Sequence, residues 1–454
     1  GDEYMSKKIK VTYIRNKEEH TVEVESGVQA FTFMPEFSIN GNQLVAAKIN
    51  NEISSLDATL DIDCKVEPIY NNTKDGTNVY RRSLCLVLAA AAYKINPKTR
   101  VLVGNSICYG YYYTFDGDKI PASALKAKMQ ELISADLKIQ TDTVSWEQAA
   151  NLFEKLNLVE TRKQLNHTCK SKIMINTLEG FSDLYFGPMV LSTGALQVFD
   201  IIEYNDGLLL RFPKTSVPSQ LPKFVDEPKL FNVFQKYKEW GKRVNVTSAA
   251  SLNDLVAKRK INDFIDISET YQQKNISTVA SKIVEKGTVR VVLIAGPSSS
   301  GKTTSAKKLG LELQAMGYTP KVISLDCYYA GRDKTPLDEN GQPDYECLEA
   351  LNIELLNQNL VDLFAGKEVN IPSYDFHTGT SFFEDKNKMT LAPNEILIME
   401  GIHGLNPKLT PKVPDNLKFR IYLSALTQLN LDDHTRVSTS DNRLIRRIVR
   451  DANF

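Results

Sequence analysis

The sequence has no apolar run long enough to span a bilayer. Its first residues, Gly1 to Lys8, are polar where a secretory signal would be apolar. Cysteine is sparse: six among 454 residues, at positions 64, 85, 108, 169, 327 and 347. None forms a CxxC pair and none requires a partner, so the expected compartment is the reducing cytoplasm. Net charge is also missing. Lys plus Arg and Asp plus Glu number 55 each, which removes the global basic field of a nucleic-acid binder and leaves only local patches. There is no internal repeat and no low-complexity tract. What remains is an ordinary composition, 42% hydrophobic and 24% charged, in a chain long enough for roughly two to four domains with sizeable cores.

One stretch organises the rest. Gly296-Pro297-Ser298-Ser299-Ser300-Gly301-Lys302-Thr303 fits GxxxxGK[ST] without a mismatch. The apolar run Val289 to Ala295 before it reads as a buried parallel strand, and Thr303 to Met316 after it reads as a helix stopped by Gly317. Strand, glycine-rich loop and helix bring backbone N–H groups and a helix N-terminus to a polyphosphate. The pattern assigns residues 296–304, including Thr304, to a nucleotide's phosphates, Lys302 to the β- and γ-phosphates, and the Thr303 hydroxyl to Mg²⁺. A chance Gly/Ser loop rarely has both flanks right.

Downstream, Lys321 to Leu325 reads as a second parallel strand with Asp326 at its carboxyl end, where ligands bind in open α/β sheets. Glu395 to Met399 is a third, ending in Glu400-Gly401, and Phe419 to Leu423 a fourth. An arginine-rich helix, Asp441 to Asp451, follows. Alternating strands and helices predict a doubly wound parallel sheet. Taken alone, an Asp at a strand end is often only a helix cap, and an Arg-rich helix often only a solvated face.

The front of the chain is different. Ile9 to Ile14 alternates as a strand and His20 to Val24 answers it as a hairpin, with further strands at Leu44 to Asn50 and Lys65 to Ile69. This module resembles the TGS domain, a β-grasp fold. Arg81 to Leu88, Val101 to Gly104, Gly110 to Asp116 and Ser182 to Met189 resemble the editing domain of threonyl-tRNA synthetases. In that family HxxxH and CxxxH form the hydrolytic site. The matching positions here hold Arg82, Leu86, Tyr185 and Met189, so the resemblance implies the fold with its editing chemistry lost. Cys85 and His167 lie near these segments and receive no role. Prolines 213, 218, 222 and 228 then mark an extended connection, followed by helical spacing at Lys229 to Lys242, Ser251 to Lys260 and Phe264 to Lys286.

From Val289 onward six segments, GPSSSGKTT, SLDCYY, TPLDENGQPDYE, IPSYDF, LIMEGIHGLNP and RLIRRIVRD, occur in the order seen in the uridine kinase and phosphoribulokinase family. The whole chain is similar to bacterial uridine or nucleoside kinases carrying TGS and editing-like domains in front. The resemblance implies an ATP- and Mg²⁺-dependent kinase for a nucleoside 5′-hydroxyl. It makes Asp326 the general base, with Lys302 catalytic, and Thr303, Asp326 and Glu400 the Mg²⁺ shell. Asp344 and Tyr345 would hold the sugar, Tyr374 and Phe376 would form the base wall, and Arg443 and Arg446, with Arg447 and Arg450, the phosphate-facing lid. His377 and His403 receive no role.

The expected division is 1–70 TGS-like, 71–212 editing-like, 213–286 linker and helices, and 287–454 kinase-like. The expected class is multidomain, α+β in front and α/β behind. Two departures stand out. The base loop His377-Thr378-Gly379-Thr380-Ser381 lacks the His and Arg of uridine kinases, which leaves base specificity open. The sequence stops at Phe454 inside the lid helix, where the family continues, so the resemblance implies a truncation. A GTPase would show an [NT]KxD motif, and none follows the phosphate loop. A sensor with a degenerate kinase would have lost Lys302, Asp326 or Glu400, and all three are present. A kinase for a purine nucleoside or a sugar phosphate stays open, as do oligomerisation and nucleic-acid contact through the front domains.

Overall fold

In the computed structural model, which describes residues 7–427 and 429–452, the first apolar alternation becomes β1 (Lys8–Arg15). Its Ile9 and Val11 are buried, and it pairs antiparallel with β2 (Glu18–Glu25). The sheet is completed by β3 (Ser38–Ile39), β4 (Asn42–Ile49) and β5 (Cys64–Tyr70). Its order is β2-β1-β5-β4-β3, with β1 and β5 parallel and Glu52–Ser54 pairing on β4. The polar start up to residue 6, and residues 453 and 454, lie outside the described residues.

The segment Arg81 to Leu88 lies within a longer helix, α1 (Lys74–Ile95). The Thr73 side chain accepts the Gly76 N–H at 3.1 Å and caps it. Most of α1 is buried, including Leu84, Leu86, Val87 and Leu88, so it forms the centre of a core rather than an amphipathic surface helix. Around it lie β6 (Arg100–Ile107), β7 (Gly110–Asp116), β8 (Gln140–Ser145), β9 (Lys172–Leu178), β10 (Phe181–Asp183), β11 (Asp200–Tyr204) and β12 (Gly207–Arg211). They form two antiparallel sheets, β11-β12-β7-β6 and β8-β9-β10. All of this belongs to one compact unit, which extends to Lys258 and takes in residues 429–437 as well.

The second unit holds residues 259–427 and 438 onward. It opens with α2 (Ile261–Lys286). The helical spacing of Ile276, Val279, Ile283 and Val284 is realised in this helix, and those side chains pack on the sheet of the second unit. The sheet comprises β13 (Val291–Ala295), β14 (Thr319–Ser324), β15 (Glu395–Glu400) and β16 (Lys418–Tyr422). All are parallel, in the order β14-β15-β13-β16. Val292, Ile294, Ile396 and Ile398 face α2 and α3 (Lys302–Ala315). Val291, Leu293, Leu397 and Met399 face α4 (Ile353–Phe364) on the other side. Helices on both faces make both sets of alternating side chains apolar, which is why these strands read as continuous hydrophobic runs. The chain ends its described course in α5 (Thr439–Ala452), which buries no residue. No helix of the described residues is long and apolar enough to cross a membrane.

Candidate active site

The site grows from the carboxyl ends of three neighbouring strands in the second unit. In register, Glu400 at the end of β15 stands opposite Ser324 of β14 on one side and Ile294 of β13 on the other. The loops leaving β13 and β14 therefore start within one strand spacing of the Glu400 carboxylate. The first is the phosphate loop. A Cβ on Gly296 would lie 2.3 Å from the Leu423 carbonyl oxygen, so only glycine passes there. Gly301 has φ +93 and begins α3 from the left-handed region, as glycine permits. Ser299 also has positive φ, +60, a conformation that costs a non-glycine residue and is retained at sites that need a curled backbone.

The donor set fits a polyphosphate. The Lys302 ammonium bonds the Pro297 carbonyl at 3.1 Å. Ser300 Oγ is buried without a hydrogen-bond partner among the described residues. Burial lowers the Lys302 pKa, and Glu400 and Asp326 pull it back. The Thr303 hydroxyl bonds Glu400 Oε1 at 3.2 Å, two oxygen donors of the type that would hold a divalent cation. Glu400 is 7% exposed; burial raises its pKa, opposed by the Thr303 hydrogen bond.

Asp326 lies in the short 3₁₀ turn Leu325–Tyr328 that follows β14. Here Ser324 does the capping, its hydroxyl accepting the Asp326 N–H at 3.3 Å. The Asp326 carboxylate is left to face a cavity of about 820 Å³, lined also by Lys302, Thr303, Tyr345, Glu400 and Arg446. Burial raises its pKa, against the pull of Lys302.

The aromatic side of the site is built around a residue that the sequence reading passed over. Tyr329 lines the cavity and touches three other rings. Its ring centroid is 5.6 Å from Tyr345, 5.3 Å from Tyr374 and 5.7 Å from Phe376. Tyr374 and Phe376 meet edge to face at 4.9 Å, a favourable geometry for aromatic pairs. Its neighbour Tyr328 turns into the core at 1% exposure and bonds Asn359. SLDCYY contains both tyrosines, and only the turn decides which one faces the site. Arg332 was also passed over. It bonds the Tyr345 hydroxyl at 3.3 Å, and together with the Tyr374 hydroxyl it lowers the Tyr345 pKa, Tyr374 having the larger effect. Burial pushes Tyr374 up to about 12. Asp344 does not line the cavity; its carboxylate accepts the Glu346 N–H at 2.9 Å.

Of the lid arginines, Arg443 Nε bonds the Ser298 carbonyl at 2.8 Å and Arg446 Nε the Ser299 carbonyl at 2.9 Å. Arg450 lines the cavity and, with Arg447, pairs with Asp451. In the first unit, the positions matched to the editing motif offer no exposed chemistry. Arg82 donates to the Pro188 carbonyl at 2.8 Å, and Leu86, Tyr185 and Met189 are buried. Burial pushes the Cys85 thiol up to about 11, which keeps it protonated and poorly nucleophilic at neutral pH.

Residues 291–453 match the sequence profile of the Phosphoribulokinase / Uridine kinase family. A uridine kinase of Macrococcus caseolyticus is 33% identical over 161 residues, covering 36% of this chain and 68% of that protein. A uridine kinase of Staphylococcus aureus is 30% identical, with the same coverage of both. A threonine–tRNA ligase of Maridesulfovibrio salexigens is 29% identical over 164 residues in the N-terminal part. That match covers 35% of this chain and 26% of the ligase, so the chain spans about a quarter of that relative. Among solved structures, a "possible uridine kinase" from Bacillus stearothermophilus matches 34% of this chain and 80% of its own, with 24% identity and a TM-score of 0.28.

Proposed function

This chain belongs to the phosphoribulokinase / uridine kinase family, and from that premise we propose that it phosphorylates a nucleoside 5′-hydroxyl with ATP. The observation that carries the reading is the meeting, in one cavity, of a phosphate loop with Lys302, a carboxylate pair and an aromatic group. ATP with Mg²⁺, when bound, supplies the transferable phosphoryl group and the divalent charge. Residues 296–304 would hold the phosphates, and Thr303, Asp326 and Glu400 the cation. Asp326 takes the proton of the attacking hydroxyl. Lys302, Arg443 and Arg446 stabilise charge developing on the phosphoryl oxygens. Tyr345 meets the sugar, with Asp344 fixing the backbone of that segment. Tyr374 and Phe376, steadied by Tyr329, give a base its stacking wall. Phosphoryl transfer asks mainly for positioning and charge neutralisation, and these groups supply both.

Pyrimidine nucleosides incubated with the protein, ATP and Mg²⁺ are expected to give ADP and the nucleoside 5′-monophosphate in equal amounts. Purine nucleosides and sugar phosphates run beside them. ADP formed only with a sugar phosphate would replace the nucleoside reading, and ADP with none of them would end the kinase reading.

The first unit is read as a β-grasp TGS-like module, which the order β2-β1-β5-β4-β3 supports, followed by an editing-like domain without its chemistry. Leucine has no donor atom, methionine's thioether is not a zinc ligand, and neither side chain can move a proton. The full chain is therefore expected to deacylate Ser-tRNA no faster than buffer, and its purified form to hold no stoichiometric zinc. Deacylation above the buffer rate would overturn this.

A further inference from the structure

The first unit holds three guanidinium groups around one point with no anion to neutralise them. Arg81 and Arg82 are adjacent on α1, and Arg436 comes from the short strap 429–437, which belongs to the same unit. Arg81 lies over the Phe212 ring at 4.2 Å and Arg436 over the Tyr111 ring at 4.9 Å. Those two rings meet edge to face at 4.7 Å. Arg82 lies against the loop that follows β10. A Cβ on Gly187 would fall 2.5 Å from its Cζ and Nη1, so the guanidinium rests on the backbone of a glycine with φ +146. Among the described residues none of the three pairs with a carboxylate. Arg82 donates to the Pro188 carbonyl at 2.8 Å, and Arg81 to the Pro213 carbonyl at 3.5 Å.

Burial lowers the pKa of Arg81 and of Arg82, and the like charge of Arg436 lowers that of Arg81 further. A buried cation without a counter-charge destabilises a fold, so the cluster is incomplete as it stands. Its donors are incomplete too. Arg81 Nε and Arg436 Nε are buried and bond nothing among the described residues. Tyr185 is 7% exposed, and its hydroxyl is also buried without a partner. Tyr185 and all three arginines act on the Cys85 thiol, which places them around the middle of α1. The carboxyl groups that act on Tyr185 offer the arginines no anion. Asp183 bonds His434, and Asp432 Oδ1 accepts the N–H groups of His434 and Thr435. Burial pushes the Asp432 carboxyl well above its ordinary range, toward its neutral form. Each arginine stays partly exposed, which leaves solvent a way in.

We infer that Arg81, Arg82, Arg436 and the Tyr185 hydroxyl form a binding site for a phosphate dianion, either inorganic phosphate or the phosphate group of a monoester. Guanidinium groups are planar, permanently charged, and bond phosphate oxygens in pairs. Three of them with no internal counter-charge suit a doubly charged anion better than a carboxylate. Stacking on Phe212 and Tyr111 holds two of the planes in place, which reduces the ordering that binding requires. The site shares no residue with the phosphate loop and does not rest on the kinase reading.

The test uses the full chain carrying Lys302→Ala, which weakens the phosphate loop as a competing site. Inorganic phosphate, uridine 5′-monophosphate and acetate are titrated into it and followed by calorimetry. Phosphate or the monophosphate is expected to bind at one site per chain, and acetate far more weakly. Tighter binding of phosphate assigns the free ion, and tighter binding of the monophosphate assigns an ester. In the same background Arg81→Met and Arg436→Met should each weaken that binding about ten- to hundredfold, the loss of one charge-assisted contact. Tyr185→Phe should weaken it severalfold, and it carries the test if a methionine variant does not fold. Without ligand these substitutions should leave the thermal midpoint unchanged or higher, because each removes an uncompensated charge or hydroxyl. Phosphate should raise the midpoint only while the arginines are present. It should also slow hydrogen–deuterium exchange in residues 183–190. No binding of phosphate or monophosphate, acetate binding as tight as either, or binding that survives all three substitutions overturns the inference.

Discussion

Asp326→Asn is expected to lower kcat by about 10²- to 10⁴-fold, the usual contribution of a general base, with nucleotide affinity nearly unchanged. Asn keeps the size and much of the hydrogen-bonding shape, and the turn does not depend on the carboxylate, because Ser324 caps it. What goes is the negative charge facing the cavity. Burial raises the Asp326 pKa above its ordinary 3.8, so the proton-accepting form is lost as pH falls through a value higher than that of a solvated aspartate. The unmodified chain should show an acid limb in kcat there, and the Asn variant should lack it. Positive charge favours the carboxylate, so the limb should move to lower pH as Mg²⁺ is raised. Repeating the comparison across Mg²⁺ concentrations separates loss of the base from loss of a cation ligand. Normal turnover of the variant at every Mg²⁺ concentration would remove Asp326 from the mechanism.

Lys302→Ala is expected to lower kcat by about 10²- to 10³-fold, roughly 2.7–4 kcal/mol of transition-state stabilisation, the scale set by losing one preorganised donor aimed at developing charge. The fold should survive. Lys302 stands in the first turn of α3, where alanine is the better helix former, and its ammonium holds one protein acceptor, the Pro297 carbonyl. The change also relieves the cost of partly burying an ammonium, the burial that lowers its pKa. Thermal unfolding should therefore move little while turnover collapses. Near-normal turnover in a folded variant would mean that residues 296–303 do not cradle the transferred phosphate.

These two residues show how a site can be legible before its geometry is. The phosphate loop was readable because every demand on it is local: a buried strand, two glycines at fixed offsets, and a helix start. Asp326 and Glu400 were readable as acids at strand ends, since the apolar runs before them are continuous for a physical reason, burial on both faces. Their alternative roles were not decidable, because cap and base look the same in one dimension. Ser324, two residues before Asp326, takes the cap in the folded turn. Tyr329 and Arg332 escaped for a similar reason. In a 3₁₀ turn, neighbouring tyrosines face different ways, and no period reports which one meets the site.

The sequence by itself determined the parallel strands, the loop between β13 and α3, the chemistry available at the strand ends, and the replacement of the editing residues by Arg82, Leu86, Tyr185 and Met189. Only the tertiary structure decided the strand order β14-β15-β13-β16, which seats Glu400 between the two functional loops. It also decided that α2 covers the second unit's sheet, and that residues 429–437 belong to the first unit although the chain on either side belongs to the second. Periodicity and spacing record what a segment buries within a few residues of itself. Strand neighbours, and the unit into which a strap is drawn, depend on pairings such as Arg100 with Asp433, 333 positions apart. Such pairings leave no local pattern, because either partner could equally well face water.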